Sequence, residues 1–359
     1  MTPRSPMTPA EVESQLAAIE RGPGEGTVDL GRGDTLHVSS LGKAYFPKAK
    51  LTKGALMRYY ARVSPVLLPH LAGRPLVLKR YPEGVGGPMF FQQDAGAHVP
   101  DVVQTQMLST EEKGKRRRII GGDLATLLYT VQLGAIEVHP WLSRVSDIDS
   151  PDRCLIDLDP GADVPFSAVV ALARDVLRIT EKCGLTAAVK TSGSRGIHLV
   201  IALPKRTTYE TSAQLAMQIA QVVVAARPEV ATVERSIKAR PAGTIYVDAL
   251  QNARGKSAAS AYSVRANEQA TVSAPLVARE LTGRLRMGAY TVKTMPRRVA
   301  TVGDPFGEVL ATRPATARIL SSALRVLEAT LSATTPRRTR TRSGTGGRDA
   351  GATTDRGSE

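Results

Sequence analysis

The sequence predicts an α/β (α+β) chain in which a sheet is backed by helices. Short runs of β-branched and apolar residues end in Asp, Gly or Pro, as strands do. Longer stretches between these runs repeat apolar residues at helical spacing. Because the two patterns alternate through the middle of the chain, we expect strands and helices to share a core. At 359 residues the chain is long enough to bury one.

The expected elements can be placed in order along the chain. Thr52 is suited to cap a helix whose apolar residues Leu56, Tyr59, Tyr60 and Val63 follow the helical period. After it we expect strands over 154–159, 187–191, 197–203 and 244–250, and helices over about 165–183 and 209–226. Loops at the strand ends are then available for chemistry.

Both ends of the chain differ in composition from the middle. Residues 1–25 mix Pro, Gly, Ser and charge, which favours a flexible N-terminal extension. Residues 334–359 are rich in Arg and almost devoid of large apolar side chains, which predicts a disordered basic tail. Five cationic residues in six, Lys113 to Arg118, indicate an exposed loop. The region between, residues 26–315, is expected to be the folded domain.

The charge balance favours a polyanionic partner. Forty-eight Lys and Arg against 33 Asp and Glu give a net charge of +15, although solubility alone could explain such an excess. The two cysteines, Cys154 and Cys183, lack the neighbouring ligands of a zinc site and favour a reduced compartment. No apolar run suggests a membrane span or signal peptide, so we expect a cytoplasmic, nucleoid-associated protein without a membrane partner.

Two carboxylates end one predicted strand. Asp157 and Asp159 are separated by one residue, so both point to the same face. Oxygen ligands of this kind suit Mg²⁺ or Mn²⁺, although a solvated strand end would look the same. Asp248 ends a later apolar run and could join them, or could be a turn residue. Three converging carboxylates could hold two metal ions for phosphoryl transfer.

A glycine-rich turn lies between two of the predicted strands. Ser192-Gly193-Ser194-Arg195-Gly196-Ile197-His198 offers backbone amides, two hydroxyls and a guanidinium to a phosphate. An ordinary hairpin turn would account for the glycines alone. His139, which precedes Pro140, could contact a triphosphate or could be a structural histidine.

In combination these motifs resemble the polymerase domain of the bacterial ligase D type, a branch of the archaeo-eukaryotic primase superfamily used in non-homologous end joining. The resemblance spans about residues 36–291. Its ordered motifs are Lys43 and Lys53 around Tyr45-Phe46-Pro47, Leu78-Lys79-Arg80-Tyr81-Pro82, Phe90-Phe91, His139-Pro140-Trp141, Asp157-Leu158-Asp159-Pro160, the glycine-rich turn, and Val247-Asp248 followed by Gln251-Asn252.

The resemblance implies a primase-like core with a mixed or antiparallel sheet, occupying residues 26–315, with the metal and nucleotide motifs in 154–265. It implies roles for particular residues. The metal-binding catalytic residues would be Asp157, Asp159 and Asp248. The nucleotide contacts would be His139, Ser192, Ser194, Arg195, His198, Lys79, Arg80, Gln251 and Arg265. Lys43 and Lys53 would receive a DNA 5′-phosphate, and Phe90 and Phe91 would stack on bases.

The implied activity is nucleotide addition to primer 3′ ends and gap filling in double-strand-break repair, with ribonucleotides as well as deoxyribonucleotides, by a mechanism using two Mn²⁺ or Mg²⁺ ions. The implied partners are DNA ends, gapped duplex, nucleoside triphosphates, a Ku-type protein and a separate DNA ligase. The chain has no Lys-x-Asp-Gly ligase motif and therefore looks like a stand-alone polymerase. True priming on an unprimed template is an open alternative.

Two departures from the family pattern and two rival functions accompany this reading. Arg195 stands where the family commonly has lysine, which changes geometry but keeps charge. Pro241 stands where the family often has arginine, so neighbouring Arg240 is assigned no role. A non-catalytic DNA-end-binding scaffold could share the fold. A haloacid-dehalogenase-type phosphatase also uses Asp-x-Asp, but its motif continues with Gly-Thr rather than Pro160-Gly161.

Overall fold

The computed structural model describes residues 5–110, 114–312 and 314–334. Its helices are α1 Pro9–Arg21, α2 Lys53–Leu71, α3 Leu124–Gln132, α4 Phe166–Lys182, α5 Tyr209–Ala226, α6 Met295–Val302, α7 Pro305–Thr312 and α8 Ala317–Thr334. Its strands in the first half are β1 Gly26–Gly31, β2 Asp34–Val38, β3 Ala44–Phe46, β4 Leu51–Thr52, β5 Arg74–Arg80, β6 Phe90–Gln92, β7 Thr105–Thr110, β8 Gly114–Gly121 and β9 Ala135–Pro140. The later strands are β10 Ser143–Arg144, β11 Asp147–Pro151, β12 Arg153–Pro160, β13 Ala187–Thr191, β14 Ile197–Ala202, β15 Ala231–Thr232, β16 Ile245–Asp248 and β17 Pro275–Leu276.

A six-stranded sheet forms the centre of the second half, in the order β15-β16-β12-β14-β13-β17. Neighbouring strands of this sheet are antiparallel, except that β15 and β16 are parallel to each other. The sheet is therefore mixed, as expected. Helices α4 and α5 pack on one face, and α8 packs against α5. Cys154, Ile156 and Leu158 point into the core beneath these helices.

The opposite face of this sheet meets the first half of the chain. Leu155, Ala188 and Val200 belong to a second core, which also contains side chains of α2, α3 and β9. Strand β5 organises that half: it pairs with β8 at its start, with β6 at its end and with β9 along its other edge. Asp157 and Asp159, which share a face of β12 with Leu155, therefore open into the space between the two halves.

Local sequence explains where the main elements begin. Thr52 caps α2, and its side chain accepts a hydrogen bond from the Ala55 amide at 3.0 Å, as the sequence predicted. The predicted helix 209–226 and strand 187–191 are confirmed with the same bounds. The expected strands over 154–159, 197–203 and 244–250, and the helix over 165–183, are each confirmed within three residues at either end.

The N-terminal segment differs from the expectation of a flexible extension over residues 1–25. Helix α1 starts with a capping box between Thr8 and Glu11 and buries Val12 and Leu16 against the rest of the chain. Near its end, Glu20 accepts a hydrogen bond from the Thr52 hydroxyl and forms an ion pair with Arg58. Helix α1 is therefore held on the start of α2.

The basic cluster was wrongly expected to be an exposed loop. Lys113 lies outside the described residues, but Lys115, Arg116, Arg117 and Arg118 belong to β8, which pairs with β7. A charge run can form a strand when one face of the sheet is open to solvent. At the other end, the expected basic tail lies outside the described residues except for Thr334, which ends α8. Among the described helices, none is both long and apolar enough to cross a bilayer.

Candidate active site

Strand register brings the three predicted carboxylates to one face of the six-stranded sheet. Asp157 of β12 lies directly opposite Asp248 of β16, and Asp159 lies opposite Tyr246. Directly opposed residues of an antiparallel pair project to the same side, with their Cβ atoms about 4.5–5.5 Å apart. Burial, followed by the charges of Asp248 and Asp159, raises the pKa of Asp157 to about 7. The negative charges of Asp248 and Asp159 therefore act on the Asp157 carboxylate.

Each carboxylate also has a protein partner. Asp248 accepts hydrogen bonds from the Leu250 amide at 2.7 Å and from the Gln251 side chain at 3.1 Å. Asp157 Oδ1 lies 3.4 Å from His198 Nε2, and Asp159 Oδ2 lies 3.7 Å from Arg240 Nη1. Arg240, which the sequence left without a role, also covers the Tyr246 ring.

Asp157, Asp159 and Asp248 are the candidate ligands of a divalent ion. In this arrangement no group of three or more His, Cys, Asp or Glu side chains among the described residues is placed to hold a metal ion. The donor chemistry nevertheless fits, since a cation would relieve the repulsion that contributes to the raised pKa of Asp157.

The glycine-rich turn closes over the end of β12. The Ser192 hydroxyl oxygen accepts hydrogen bonds from the amides of Ser194, at 3.1 Å, and Gly196, at 3.0 Å, so its own proton is not used in either bond. Gly193 has a positive φ of 71°, and a Cβ at Gly196 would collide with the Leu158 carbonyl oxygen. Arg195 donates to the Pro160 carbonyl at 2.9 Å. The turn thus lies beside Asp157 and Asp159, with Ser194 and Arg195 exposed.

A row of polar residues crosses the sheet from this point. Asp248, Asp157, His198 and Lys190 are register neighbours on four adjacent strands. Lys190 is almost fully buried, and its ammonium contacts His198 Nδ1 at 2.8 Å and Ser273 Oγ at 2.7 Å. Burial lowers the pKa of His198 well below its usual value, and the charges of Lys190 and Arg265 add to that effect. Lys190 was not predicted, although alternation along its strand could have placed it on this face.

Three predicted nucleotide contacts meet at one buried carboxylate. Glu137 Oε2 lies 2.9 Å from His139 Nε2 and 3.0 Å from Arg265 Nε, and its Oε1 lies 3.4 Å from Lys79 Nζ. Arg265 also donates from Nη1 to the Ser192 carbonyl at 2.7 Å. Glu137 was not predicted, and its only sequence signal is its place two residues before His139 on the same strand face.

Two other predicted nucleotide contacts have local partners. Arg80 points away from the Glu137 group, because its guanidinium donates to the Leu133 carbonyl and the Gln92 side chain at 2.6 Å each. It also covers the Phe90 ring, with 4.9 Å from Cζ to the ring centroid. Gln251 contacts Asp248. The structure therefore brings Gln251 into the carboxylate site and places Arg80 beside the predicted stacking residues.

Exposed aromatic and basic residues lie on the second sheet. Phe90 and Phe91 of β6 are 45% and 57% exposed. They lie on the same sheet as β8, where Lys115, Arg116 and Arg117 are exposed. Solvent-exposed aromatic rings on a sheet that also carries exposed cations suit contact with unpaired nucleic acid.

The two lysines predicted to receive a 5′-phosphate lie close together. The Lys53 amide donates to the Lys43 carbonyl at 2.8 Å. Lys53 is buried, and its ammonium donates to the Ser39 carbonyl at 2.9 Å, whereas Lys43 pairs with Glu83 at the surface. Burial, with a smaller effect of Lys43, lowers the pKa of Lys53 to about 8.

Comparison with known proteins agrees with this architecture. A family model described as the primase-polymerase domain of LigD matches residues 52–306. The bifunctional non-homologous end joining protein LigD of Bacillus subtilis is 36% identical over 272 residues, covering 76% of this chain and 43% of that protein. The multifunctional LigD of Pseudomonas aeruginosa is 32% identical over 270 residues, covering 74% of this chain and 32% of that protein. The matched region thus spans less than half of either relative.

A solved structure is also similar. The polymerase domain from Mycobacterium tuberculosis ligase D, solved in complex with DNA, superposes with a TM-score of 0.72 and 30% sequence identity. The match covers 78% of this chain and 99% of that one. The fold prediction is therefore confirmed, and the antiparallel neighbours of β12 do not fit the rival phosphatase.

Proposed function

Because the chain belongs to the family of LigD primase-polymerase domains, we propose that it is a metal-dependent nucleotidyltransferase that extends primer 3′ ends and fills gaps during double-strand-break repair. One observation carries the proposal: Asp157 and Asp248 face each other in register beside a glycine-rich turn that can hold phosphate. Nucleotidyl transfer needs this combination of carboxylates and anion-binding donors.

In the proposed mechanism, Asp157, Asp159 and Asp248 would hold two Mg²⁺ or Mn²⁺ ions, which when bound activate the primer 3′-hydroxyl and neutralise the leaving pyrophosphate. Ser194 and Arg195 are exposed at the turn and would donate hydrogen bonds to the triphosphate. The turn needs glycine at position 196, where a side chain would strike the end of β12, and at position 193, where φ is positive. The small residues let the amides of the turn approach the phosphates closely.

The remaining predicted contacts would complete the substrate site. His139, His198, Lys79 and Arg265 would face the nucleotide, and Gln251 would orient Asp248 through its hydrogen bond. Phe90 and Phe91 would stack on template bases, with Arg80 supporting the Phe90 ring. Lys43 and Lys53 would receive the 5′-phosphate across a gap. Use of ribonucleotides as well as deoxyribonucleotides, and cooperation with a Ku-type protein and a ligase, are further parts of the proposal.

A primer-extension assay tests this function. Wild-type protein is supplied with primed, gapped or unprimed DNA, with ribo- or deoxyribonucleotides, and with Mg²⁺ or Mn²⁺. We expect extension of the primed and gapped substrates, and its loss in Asp157→Asn with DNA binding retained, since the asparagine keeps the shape but loses the charge. Asp34→Asn, which changes an exposed carboxylate on β2, is the matched control and should remain active.

One observation favours a second candidate, a non-catalytic DNA-end-binding scaffold. The described carboxylates are not arranged as a metal site, and each has a protein partner. The scaffold predicts DNA-end binding without extension in any nucleotide and metal combination. Equal DNA binding and equal lack of extension in wild type and Asp157→Asn would favour it over the polymerase.

A further inference from the structure

Glu137 is a buried carboxylate to which the proposed mechanism gives no role. Its side chain is 2% exposed and lies on β9, whose register places it directly opposite Lys79 of β5. Both oxygens are used as acceptors. Oε2 faces His139 and Arg265, while Oε1 faces Lys79 and accepts a hydrogen bond from the Ala266 amide at 3.1 Å. A carboxylate in this position gathers groups from three separate segments of the chain.

The charges around Glu137 keep it ionised. Burial by itself raises the pKa of Glu137, but the hydrogen bond with His139 and the charges of Arg265 and Lys79 outweigh it and lower the pKa to about 2. Breaking such a buried, paired site by removing one charge is costly, because the partners lose their acceptor. At neutral pH Glu137 therefore acts as a fixed acceptor.

Arg265 links Glu137 to the glycine-rich turn. Its Nε contact with Glu137 is an ion pair rather than a hydrogen bond, since the Nε–H has no acceptor in suitable geometry. Its Nη1 donates to the carbonyl of Ser192, the first residue of the turn. The guanidinium is planar and rigid, so fixing one side of it also fixes the side that holds the turn. A displaced Glu137 would shift Arg265 and the turn together.

We propose that Glu137 is a positioning residue for the nucleotide triphosphate: it holds Lys79, His139 and Arg265 in the arrangement that binds the phosphates, and through Arg265 it sets the position of the glycine-rich turn. This inference rests on the proposed polymerase function. A carboxylate that only balanced charge would weaken phosphate binding by repulsion, whereas a positioning carboxylate strengthens it.

Replacement by glutamine separates these two roles by the sign of the effect. Glu137→Gln removes a negative charge, which by electrostatics alone should tighten triphosphate binding. Glutamine, however, has only one acceptor oxygen. Its NH₂ group must therefore face donors whose hydrogen bonds or charge the second carboxylate oxygen of Glu137 now accepts. We expect nucleotide affinity to fall about tenfold, the size expected for losing a charged hydrogen bond.

The experiment measures equilibrium binding of a labelled nucleoside triphosphate in the presence of Mn²⁺, together with KM and kcat for extension. Glu137→Gln should raise Kd and KM about tenfold, with kcat and DNA affinity changed less than twofold. Glu280→Gln, which removes a carboxylate from the ion pair with Arg298, is the matched control and should bind nucleotide as the wild type does. A second variant, Glu137→Asp, keeps the charge but shortens the reach, and should also lose affinity.

Each result has a definite meaning. Unchanged or tighter nucleotide binding in Glu137→Gln overturns the positioning role. If that variant fails to fold, wild-type affinity in Glu137→Asp overturns it instead. Wild-type protein that binds no nucleotide overturns the proposed function and this inference with it, so the two failures are distinguishable.

Discussion

The side chain of Asn252 takes the place of a strand beside β12, and its removal should destabilise the protein. Asn252 is 1% exposed. Its Oδ1 accepts from the Leu155 amide at 2.8 Å, and its Nδ2 donates to the Leu155 carbonyl at 2.7 Å. Nδ2 also donates to the Ala249 carbonyl at 2.8 Å, and Oδ1 lies 3.2 Å from the Ser212 hydroxyl. Strand β16 ends at Asp248, so this amide continues the ladder where the strand has stopped.

The expected loss can be worked from these bonds. Asn252→Ala leaves the amide and carbonyl of Leu155 buried without these partners, and each unsatisfied buried group costs roughly 1–3 kcal/mol. We expect a decrease of about 3 kcal/mol in the free energy of unfolding. The loss is below the maximum because water entering the space of the lost amide can hydrogen-bond to some of the groups left without partners. For a chain of 359 residues that corresponds to a fall in Tm of about 4 °C. Leu155 lies two residues before Asp157, so extension should fall as well.

Urea denaturation of wild type, Asn252→Ala and Asn252→Asp measures the effect. The aspartate variant keeps the shape but presents an oxygen to the carbonyls of Leu155 and Ala249, so it should lose at least as much stability. Leu250→Ala, an exposed change in the same turn, is the control and should stay within about 0.5 kcal/mol of the wild type. A loss below about 1 kcal/mol in Asn252→Ala would refute the role assigned to these bonds.

Two further predictions concern DNA. The preference for a 5′-phosphorylated gap should weaken as pH rises through about 8, because burial and Lys43 lower the pKa of Lys53 to about 8 and the ammonium loses its proton above that value. Competition binding of phosphorylated and unphosphorylated gaps between pH 6.5 and 9.5 measures this preference. Lys53→Arg should keep a constant preference across the range, because arginine stays charged. A wild-type preference that does not change with pH would contradict the prediction. Phe91→Ala should weaken binding to a single-stranded overhang by about 1–3 kcal/mol, as measured by fluorescence anisotropy. Val326→Ala, an exposed change on α8, is the control and should bind as the wild type does. Equal affinities of Phe91→Ala and wild type for the overhang would exclude stacking by Phe91.

Periodicity in the sequence predicted the elements of the second half well. The strand over 187–191 and the helix over 209–226 have strong local patterns, and the structure gives the same bounds. Alternation also predicted that Asp157 and Asp159 share a face, which their opposition to Asp248 and Tyr246 confirms. Local patterns sufficed here because each property depends on residues close together in the chain.

Properties that depend on distant residues were not predictable in this way. The Glu137 group joins residues 58 and 129 positions apart, and no local pattern records such pairings. The basic strand β8 was mistaken for a loop because charge runs are usually solvated, and the pattern did not reveal that β7 would pair with it. Helix α1 buries only Val12 and Leu16, too few apolar residues to distinguish a packed helix from a loose one.

The alternating faces of β12 restrict how the length of this strand can change. Inserting or deleting a single residue within it would turn Asp157 and Asp159 towards the helices α4 and α5, and would expose Ile156 and Leu158 in the cleft. The carboxylate site and the packing of β12 against these helices would then be lost together. Changes of length in this region are therefore compatible with the fold only in the connecting turns, or in steps of two residues. A step of two returns each side chain of the strand to its original face.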